Sequence, residues 1–363
     1  MKQSLFYSIG LLFLALLLPY KSAAQERISK QINESHAFTQ KGELSIENKY
    51  GDIYLNGWSQ DAIQITVNID SKGKNAAAAK DLLDRIQPSI AVQGDRVVVT
   101  TNITKKEENL LNRFLSRVDS NKGEKANSQI DYTIYLPQNA KVKLTNKYGD
   151  LIVSGWNGNL TATVEHGDIR LPDQLQESVL SVKFGKLKAT ELINSEVISR
   201  DARININKAT QLALDANGSD INLEEIGALE LISDKDEIEV GHVKLVQGEV
   251  KYSTVNINNL SDRISLNLNL AELKIVQFSS STPSVRIDQQ NSEVYLNISN
   301  TSFKFDANLE QGVLRIPKTM KNITSELVDT KRKIRSINAT YGEGDGLIFS
   351  FSGLKGQIIL KEL

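Results

Sequence analysis

The sequence contains no cysteine in its 363 residues. This absence excludes disulfide bonds, thiolate metal ligands and a lipid-modified N-terminal cysteine. Aromatic residues make up only 6% of the chain, which argues against a long cleft that stacks sugars. A chain of this length without disulfides must take its stability from repetition and from the burial of a large core.

An excess of charge of one sign is also lacking, because the formal net charge is −1. A nucleic-acid partner would require a strongly basic face, so none is expected. The 3 histidines are far apart and lack metal-ligand spacing. Phosphate-binding loops, nucleophile elbows and zinc-protease motifs are absent. We therefore expect no catalytic residues, no metal site and no cofactor.

The N-terminus has the layout of a secretory signal peptide. An apolar run over residues 5–18 follows Lys2, and small residues at 22–24 provide a cleavage site before Gln25. The alternative is a retained membrane anchor, but the run is short for a bilayer span. We predict a signal peptide over residues 1–24 and an exported protein in the periplasm, at the cell surface or outside the cell. The mature chain should carry no transmembrane segment.

A six-residue motif occurs twice in the chain. Residues 48–53 read Asn-Lys-Tyr-Gly-Asp-Ile, and residues 146–151 repeat them with leucine in the last place. Each copy is followed by Gly-Trp, at 57–58 and 155–156, and these hold the only tryptophans. So many identities in register indicate an internal structural repeat.

A shorter period of 17 or 18 residues begins at residue 150. Two positions in each period, one residue apart, are apolar in all eight repeats. They are Leu151, Val153, Ile169, Leu171, Leu187, Ala189, Ile204, Ile206, Ile221, Leu223, Ile238, Val240, Val255, Ile257, Leu273 and Ile275. The residue between them is polar in seven repeats. This alternation is typical of a strand with one buried face.

A small residue usually lies two positions before the first apolar position. The column contains Gly149, Gly167, Gly185, Ala202, Ser219, Asp236, Ser253 and Ala271, with only the aspartate bulky. Small residues permit a tight corner. Each turn of the chain, here called a rung, is predicted as strand, corner, strand and second corner. We predict an all-β, single-stranded β-solenoid (β-helix) whose rungs stack ~4.8 Å apart, with its handedness left open.

Two regions depart from this rhythm. Residues 75–87 predict a short amphipathic helix ended by Pro88, and residues 90–103 predict strands around a turn at 93–95. A helical turn is also possible near residues 110–115. We predict an N-terminal α+β cap over residues 25–137, which includes the first rung and the helical insertion. The β-solenoid should then occupy residues 138–363, with a less regular C-terminal end.

The signal peptide, the Asn-Lys-Tyr-Gly-Asp-Ile motif, the alanine-rich helix and the later Gly-Asp-Ile and Gly-Lys-Leu turns resemble the putative-adhesin family of Bacteroidetes. That family is a group of domains of unknown function, related to the head domains of autotransporter adhesins. The resemblance covers nearly all of the mature chain. It implies a β-helical fold and an envelope or surface location, and it brings no catalytic residue.

Aspartates recur at the corners, at Asp52, Asp150, Asp168 and Asp220. Repeat proteins can bind calcium between such turns, but the glycine-aspartate signature of those repeats is absent. We expect these carboxylates to accept hydrogen bonds from backbone N–H groups at the corners.

The same corner column alternates in charge farther along the chain. Stacked rungs would place Asp168 beside Lys186 and Arg203 beside Asp220, as a solvated ladder. The alternative is a carbohydrate-active β-helix enzyme, in which Asp220 and Glu237 would lie ~5 Å apart on adjacent rungs.

Ring-bearing residues occupy the slot before the small corner residue in consecutive rungs. They are Tyr148, His166 and Phe184, with Tyr50 in the same slot of the first motif copy. If the rings point outward, they form a binding strip suited to a glycan or a partner strand. The other reading, which we favour from the sequence, is that they pack over the corner and shield its small residues.

The sequence thus favours a non-catalytic, exported, adhesin-like β-solenoid with a binding or structural role in the cell envelope. Envelope polysaccharide or another envelope protein is the expected partner. Tyr148, His166 and Phe184 are the candidate binding residues.

Overall fold

The computed structural model describes residues 26–104, 127–280, 283–344 and 348–362. The expected signal peptide and the possible helical turn near residues 110–115 lie outside these ranges. Within them the chain is almost entirely β-strand with one short helix. In the described part of the chain, no helix has the length and apolar character needed to span a membrane.

The described residues of the N-terminal region form seven strands and one helix. Their bounds are β1 Glu26–Ala37, β2 Glu43–Lys49, β3 Ile53–Trp58, β4 Ala62–Gly73, α1 Ala76–Arg85, β5 Ile86–Gln93, β6 Arg96–Ile103 and β7 Ser128–Pro137. The Asn75 side chain accepts a hydrogen bond from the Ala78 N–H and caps α1, as is usual for asparagine at a helix N-terminus. The predicted helix and the turn at 93–95 are confirmed. Pro88 does not end the helix, because α1 stops at Arg85 and Pro88 lies within β5. In the described residues β5 pairs only with β6, so this proline sits in an edge strand, where it is tolerated.

The central region is a stack of parallel strands. Their bounds are β8 Lys141–Lys147, β9 Leu151–Ser154, β10 Asn159–Glu165, β11 Ile169–Lys183, β12 Lys186–Arg200, β13 Arg203–Asn217, β14 Asp220–Asp234, β15 Glu237–Lys251, β16 Thr254–Asn269 and β17 Glu272–Ile275. Neighbouring strands pair in the expected register, with Ile204 beside Ile221 and Ile221 beside Ile238. All sixteen predicted inward side chains are at most 2% exposed. The β-solenoid is confirmed, with its aliphatic columns in the core.

The second corner differs from the prediction. Pairing between β12 and β13 skips Thr190 and again Ile193, each time where two successive residues are not buried. The expected single corner is therefore two bends on either side of a short segment that points Leu192 inward. Period-two alternation cannot reveal such a bend, because one extra outward residue shifts the pattern without removing it.

The C-terminal region contains eight strands. Their bounds are β18 Ser284–Gln290, β19 Glu293–Asn297, β20 Phe303–Glu310, β21 Val313–Arg315, β22 Lys321–Asp329, β23 Ile334–Tyr341, β24 Ile348–Leu354 and β25 Gln357–Lys361. Strand β24 lies between β18 and β20, and β25 lies between β19 and β21. The last rung of the chain, formed by β24 and β25, is thus inserted between two earlier rungs.

Both ends of the stack are closed by antiparallel strands. At the N-terminal end β7 pairs with β3 and is covered by β4 and then β1. At the C-terminal end β20 is covered by β23 and then β22. Covering strands protect the edge that an open solenoid would expose. The domain boundary at residue 137 stays a prediction.

Candidate ligand-binding ladder at the corner

The first corner of each rung begins with a residue in the left-handed conformation. Tyr50, Tyr148, His166 and Phe184 have φ values of 70°, 62°, 57° and 56°. This conformation is unusual for bulky residues and costs about 1 kcal/mol or more. Because every rung adopts it at the same place, the side chains project from one edge of the solenoid in a single column.

The four rings form a continuous stack, here called the ring ladder. Ring centroids are 5.4 Å apart between Tyr50 and Tyr148, 5.0 Å between Tyr148 and His166, and 4.9 Å between His166 and Phe184. The interplanar angles are 18°, 5° and 16°. These spacings are close to the distance of ~4.8 Å between neighbouring strands, so the sheet itself sets the stacking distance.

Exposure increases along the ring ladder. Tyr50 is 5% exposed, because it lies in a pocket lined by Lys72 and residues 127–129 of the N-terminal region. Phe184, at the other end, is 43% exposed. The structure therefore brings Tyr148, His166 and Phe184 together in one stack at the surface. Tyr50 belongs to the same stack but is covered by other residues of the N-terminal region. Their role in binding stays a prediction.

Charged side chains flank the rings. The Lys49 ammonium lies 4.6 Å from the centre of the Tyr50 ring, and that of Lys183 lies 5.1 Å from the centre of the Phe184 ring. Between them Lys147 and Glu165 form an ion pair of 2.9 Å across two rungs. Their mutual hydrogen bond raises the pKa of Lys147 and lowers the pKa of Glu165.

Glycine follows every ring of the ladder because the rungs approach closely there. A Cβ atom at Gly149 would lie 1.9 Å from the carbonyl oxygen of Gly51, and a Cβ at Gly167 would lie 1.9 Å from that of Gly149. The buried amide of Asn146 donates to the Gly51 carbonyl oxygen at 3.0 Å. The repeated Asn-Lys-Tyr-Gly-Asp motif is thus a corner whose ring joins the ring ladder and whose asparagine faces inward.

On the other side of the corner, carboxylates join the rungs. The Asp52 N–H donates to Asp131, the Asp150 N–H to Asp52, and the Asp168 N–H to Asp150, at 2.8, 2.8 and 2.9 Å. The expected backbone role is confirmed for Asp52 and Asp150. Asp168 instead faces Arg170, which lies 3.6 Å from it and 2.7 Å from Asp150.

Sequence reasoning missed Asp131, because it lies in β7 outside the repeat. Burial raises the pKa of its carboxyl group, and the hydrogen bond from the Asp52 N–H opposes this shift. Among the described residues, no group of three histidine or acidic side chains is arranged to hold a metal ion.

The predicted charge column is present in part. Arg203 and Asp220 form an exposed ion pair of 3.1 Å, as expected, whereas Lys186 has no ion pair with Asp168 among the described residues. Asp220 and Glu237 are neighbours in register. Asp220 lines an open pocket beside Phe184, but Glu237 does not, so this pocket does not bring the two carboxylates together.

A second concave surface runs along six rungs and has a volume of about 680 Å³. Its lining residues include Ala213 and Leu229 as well as Glu196, Glu230 and Arg263, so the surface is mixed polar and apolar. No aromatic side chain is among its described lining residues.

No family model matches the chain, and no curated protein matches it. The chain is similar to the crystal structure of a putative adhesin from Bacteroides fragilis, with 11% identity, 92% of this chain and 97% of that chain covered, and a TM-score of 0.31. It is similar to a putative adhesin from Parabacteroides distasonis, with 11% identity, coverages of 76% and 98%, and a TM-score of 0.37. A putative lipid binding protein from Parabacteroides distasonis matches with 11% identity, coverages of 74% and 96%, and a TM-score of 0.31.

The adhesin names agree with the resemblance noted from the sequence motifs. At TM-scores below 0.5, however, these likenesses do not decide what this chain does. Its function has to be argued from its own residues.

Proposed function

We propose that this chain is a non-catalytic, adhesin-like module exported to the cell envelope, and that it attaches to envelope polysaccharide through Tyr148, His166 and Phe184. The observation that carries the proposal is the exposed part of the ring ladder. Three stacked rings stand on a rigid sheet, where Tyr148 is half-buried and His166 and Phe184 are exposed.

Physical considerations support a contact role for these rings. Stacking stabilises each pair of rings by about 0.5–1.5 kcal/mol, which offsets the cost of the left-handed backbone. Stacking alone does not require that the Phe184 ring be exposed. Other rungs build the same corner with Asp201, Gly218 or Asn291. A ring is therefore dispensable for the turn, and its presence on consecutive rungs calls for another explanation. Aromatic rings on a preformed surface offer large contact area at low entropic cost.

The test compares two sets of substitutions at left-handed positions. The first variant carries Tyr148→Asn, His166→Asn and Phe184→Asn, because asparagine tolerates this conformation. The control carries Tyr252→Asn and Leu270→Asn, which are exposed left-handed positions of the same column outside the ring ladder. Co-sedimentation with purified envelope polysaccharide measures attachment, and thermal unfolding measures stability.

We expect the first variant to lose at least about tenfold in affinity and the control to bind like the unmodified protein. Unchanged binding together with a lowered unfolding temperature would show that the rings only pack over the corner. Failure of the unmodified protein to bind the polysaccharide would overturn the proposal itself. Protease treatment of intact cells, followed by detection of the protein, tests the surface location.

A further inference from the structure

The ring ladder stops abruptly after Phe184. The next two left-handed corner positions are Asp201 and Gly218, and the following two are Lys235 and Tyr252. Two rungs of the column therefore have a short side chain or none, and we call this gap the step. At ~4.8 Å per rung, the step separates Phe184 from the Lys235 rung by about 14 Å.

No ring stacks on the face of Phe184 that points into the step, and the Lys183 ammonium lies 5.1 Å from the ring centre. His166 covers the opposite face at a centroid distance of 4.9 Å. On the step side the neighbour is Asp201, whose short side chain leans over the next rung, since a Cβ atom at Gly218 would lie 2.9 Å from its Oδ1 atom. Phe184 keeps 43% of its surface exposed.

The step forms one open pocket of about 580 Å³ across the corner. Its lining residues are Asp168, Phe184, Gly185, Lys186, Asp201, Ala202, Arg203, Gly218 and Asp220. Arg203 is engaged by Asp220 at 3.1 Å. Among the described residues, the side chains of Lys186 and Asp201 have neither an ion pair nor a hydrogen bond. The pocket thus combines an exposed phenyl ring with the ammonium of Lys186 and the carboxylate of Asp201.

We propose that the step binds a neutral pyranose ring, which stacks on Phe184 as the next member of the ladder. This inference rests on the proposed function and assigns its ligand class and position. The C–H face of a pyranose is apolar and packs against a phenyl ring, while its hydroxyl groups donate to Asp201 and accept from Lys186. Burying these polar groups without such partners would be unfavourable.

The charges of the step favour a neutral sugar over other flat ligands. The charges around the pocket are balanced, because Arg170 lies 3.6 Å from Asp168, Arg203 pairs with Asp220, and Lys186 and Asp201 are opposite in sign, so an acidic sugar gains no net attraction. A purely aromatic ligand would stack equally well but would leave Asp201 and Lys186 without hydrogen-bond partners. Adjacent hydroxyls on one ring satisfy both groups.

The experiment fills the step without removing the ring ladder. Asp201→Tyr places a fifth ring next to Phe184. Tyr252, which has a left-handed backbone in the same column of corner positions, shows that this column accepts a tyrosine. Phe184→Asn removes the platform, and Asp201→Asn removes only the charge. Glu237→Gln, at an exposed position outside the pocket, is the matched control. The probes are dextran, mannan, galactan and, as the acidic arm, alginate, each titrated by calorimetry.

We expect the unmodified protein to bind at least one neutral polysaccharide. The affinity should fall about tenfold or more in Asp201→Tyr and in Phe184→Asn, and by less in Asp201→Asn. Preference for alginate, or undiminished binding by Asp201→Tyr, would overturn the inference. If Asp201→Tyr binds normally while the triple asparagine variant does not, the sugar lies elsewhere on the ladder and the proposed function survives. Binding of no neutral polysaccharide by the unmodified protein overturns the inference as well.

Discussion

The first corner of the solenoid is built in two different ways along the stack. In the aromatic section, defined by the rungs of Tyr50, Tyr148, His166 and Phe184, glycine follows the ring. In the hydroxyl section the same position holds alanine, serine or aspartate, at Ala202, Ser219, Asp236, Ser253, Ala271 and Ser292. The strands on either side of the corner keep the same register throughout.

The two sections differ in the acceptor of one backbone N–H group, that of the residue after the small corner residue. In the aromatic section the Asp150 N–H donates to the Asp52 carboxylate at 2.8 Å, and the Asp168 N–H donates to that of Asp150 at 2.9 Å. In the hydroxyl section the Arg203 N–H donates to the Gly185 carbonyl at 3.0 Å, and the Asp220 N–H donates to the Ala202 carbonyl at 3.0 Å. A backbone carbonyl of the preceding rung thus takes the place of the aspartate side chain.

The side chain of the small corner residue takes part in hydrogen bonds in the hydroxyl section. The Asp236 N–H donates to the Ser253 hydroxyl at 2.9 Å, and the Ser219 N–H donates to Asp236 at 2.7 Å. In the aromatic section the corresponding role belongs to Asp52 and Asp150 on the outer side of the corner. The comparison teaches that corner glycines are required by a close contact between rungs, and that an inward polar side chain can replace them once that contact is gone.

The largest effect should come from a methyl group in the aromatic section. Gly167→Ala places a Cβ atom 1.9 Å from a backbone carbonyl oxygen that cannot move without breaking the stack. We expect a loss of about 4 kcal/mol or more in the free energy of unfolding, or failure to fold. Ala202→Ser, at the equivalent place in the hydroxyl section, should cost under ~1 kcal/mol. Denaturant unfolding of both variants measures the difference, and equal losses would contradict the distinction.

A smaller effect is expected from removal of one hydroxyl group. Ser253→Ala leaves the buried Asp236 N–H without its acceptor and removes a partner of Ser233, which lies 2.9 Å away. An unsatisfied buried donor costs about 1–3 kcal/mol. Ser261→Ala, at an exposed serine whose hydroxyl makes only a long hydrogen bond of 3.4 Å to the Val243 carbonyl, should change the unfolding free energy by less than ~0.5 kcal/mol. Equal values for the two variants would show that the hydroxyl column is not stabilising.

The pH dependence of stability should also separate the sections. Burial raises the pKa of Asp236, while hydrogen bonds from Ser233 and the Ser219 N–H oppose the shift. Because the folded-state pKa is the higher one, the ionised carboxylate opposes folding, and this cost disappears as the pH falls to the unfolded value of about 3.9. Relative to Asp236→Ser, the unmodified protein should therefore lose stability as the pH rises above about 4. A difference between the two unfolding curves that is constant with pH would exclude this contribution.

The smallest effect is expected at the exposed ion pair of the corner. Arg203 and Asp220 are each more than half exposed, so Arg203→Gln should cost under ~0.5 kcal/mol. The cost should vanish in 1 M salt, because screening removes what remains of the attraction. Thermal unfolding at low and high salt gives both values, and a loss above 1 kcal/mol would indicate a structural role that exposure does not suggest.

Periodicity predicted the parts of the fold that repeat. The columns of Ile221 and Leu223 could be identified because a strand with one buried face alternates strictly, and the corner because small residues recur beside it. The change of hydrogen-bond acceptor after Gly185 has no such signal, since alanine and glycine are both small. The backbone role of Asp131 was also hidden, because it depends on a pairing of β7 with β3 that spans 79 residues. The column of rings could be identified from the sequence. The exposure of each ring could not, because it depends on which rungs the N-terminal region covers.

The order of rungs along the stack matches the order along the chain only in the middle. At both ends a segment is threaded out of sequence, as with β24 between β18 and β20. A duplicated or deleted rung at an end would leave such a segment without its neighbours. In the middle, loss of residues 203–219 would join Ala202 to Asp220, which already occupies the position of Arg203 one rung later. Insertions or deletions of whole rungs are therefore compatible with the fold only among the central rungs. The distance between the two ends of the stack is thus the dimension of this protein that can change during evolution.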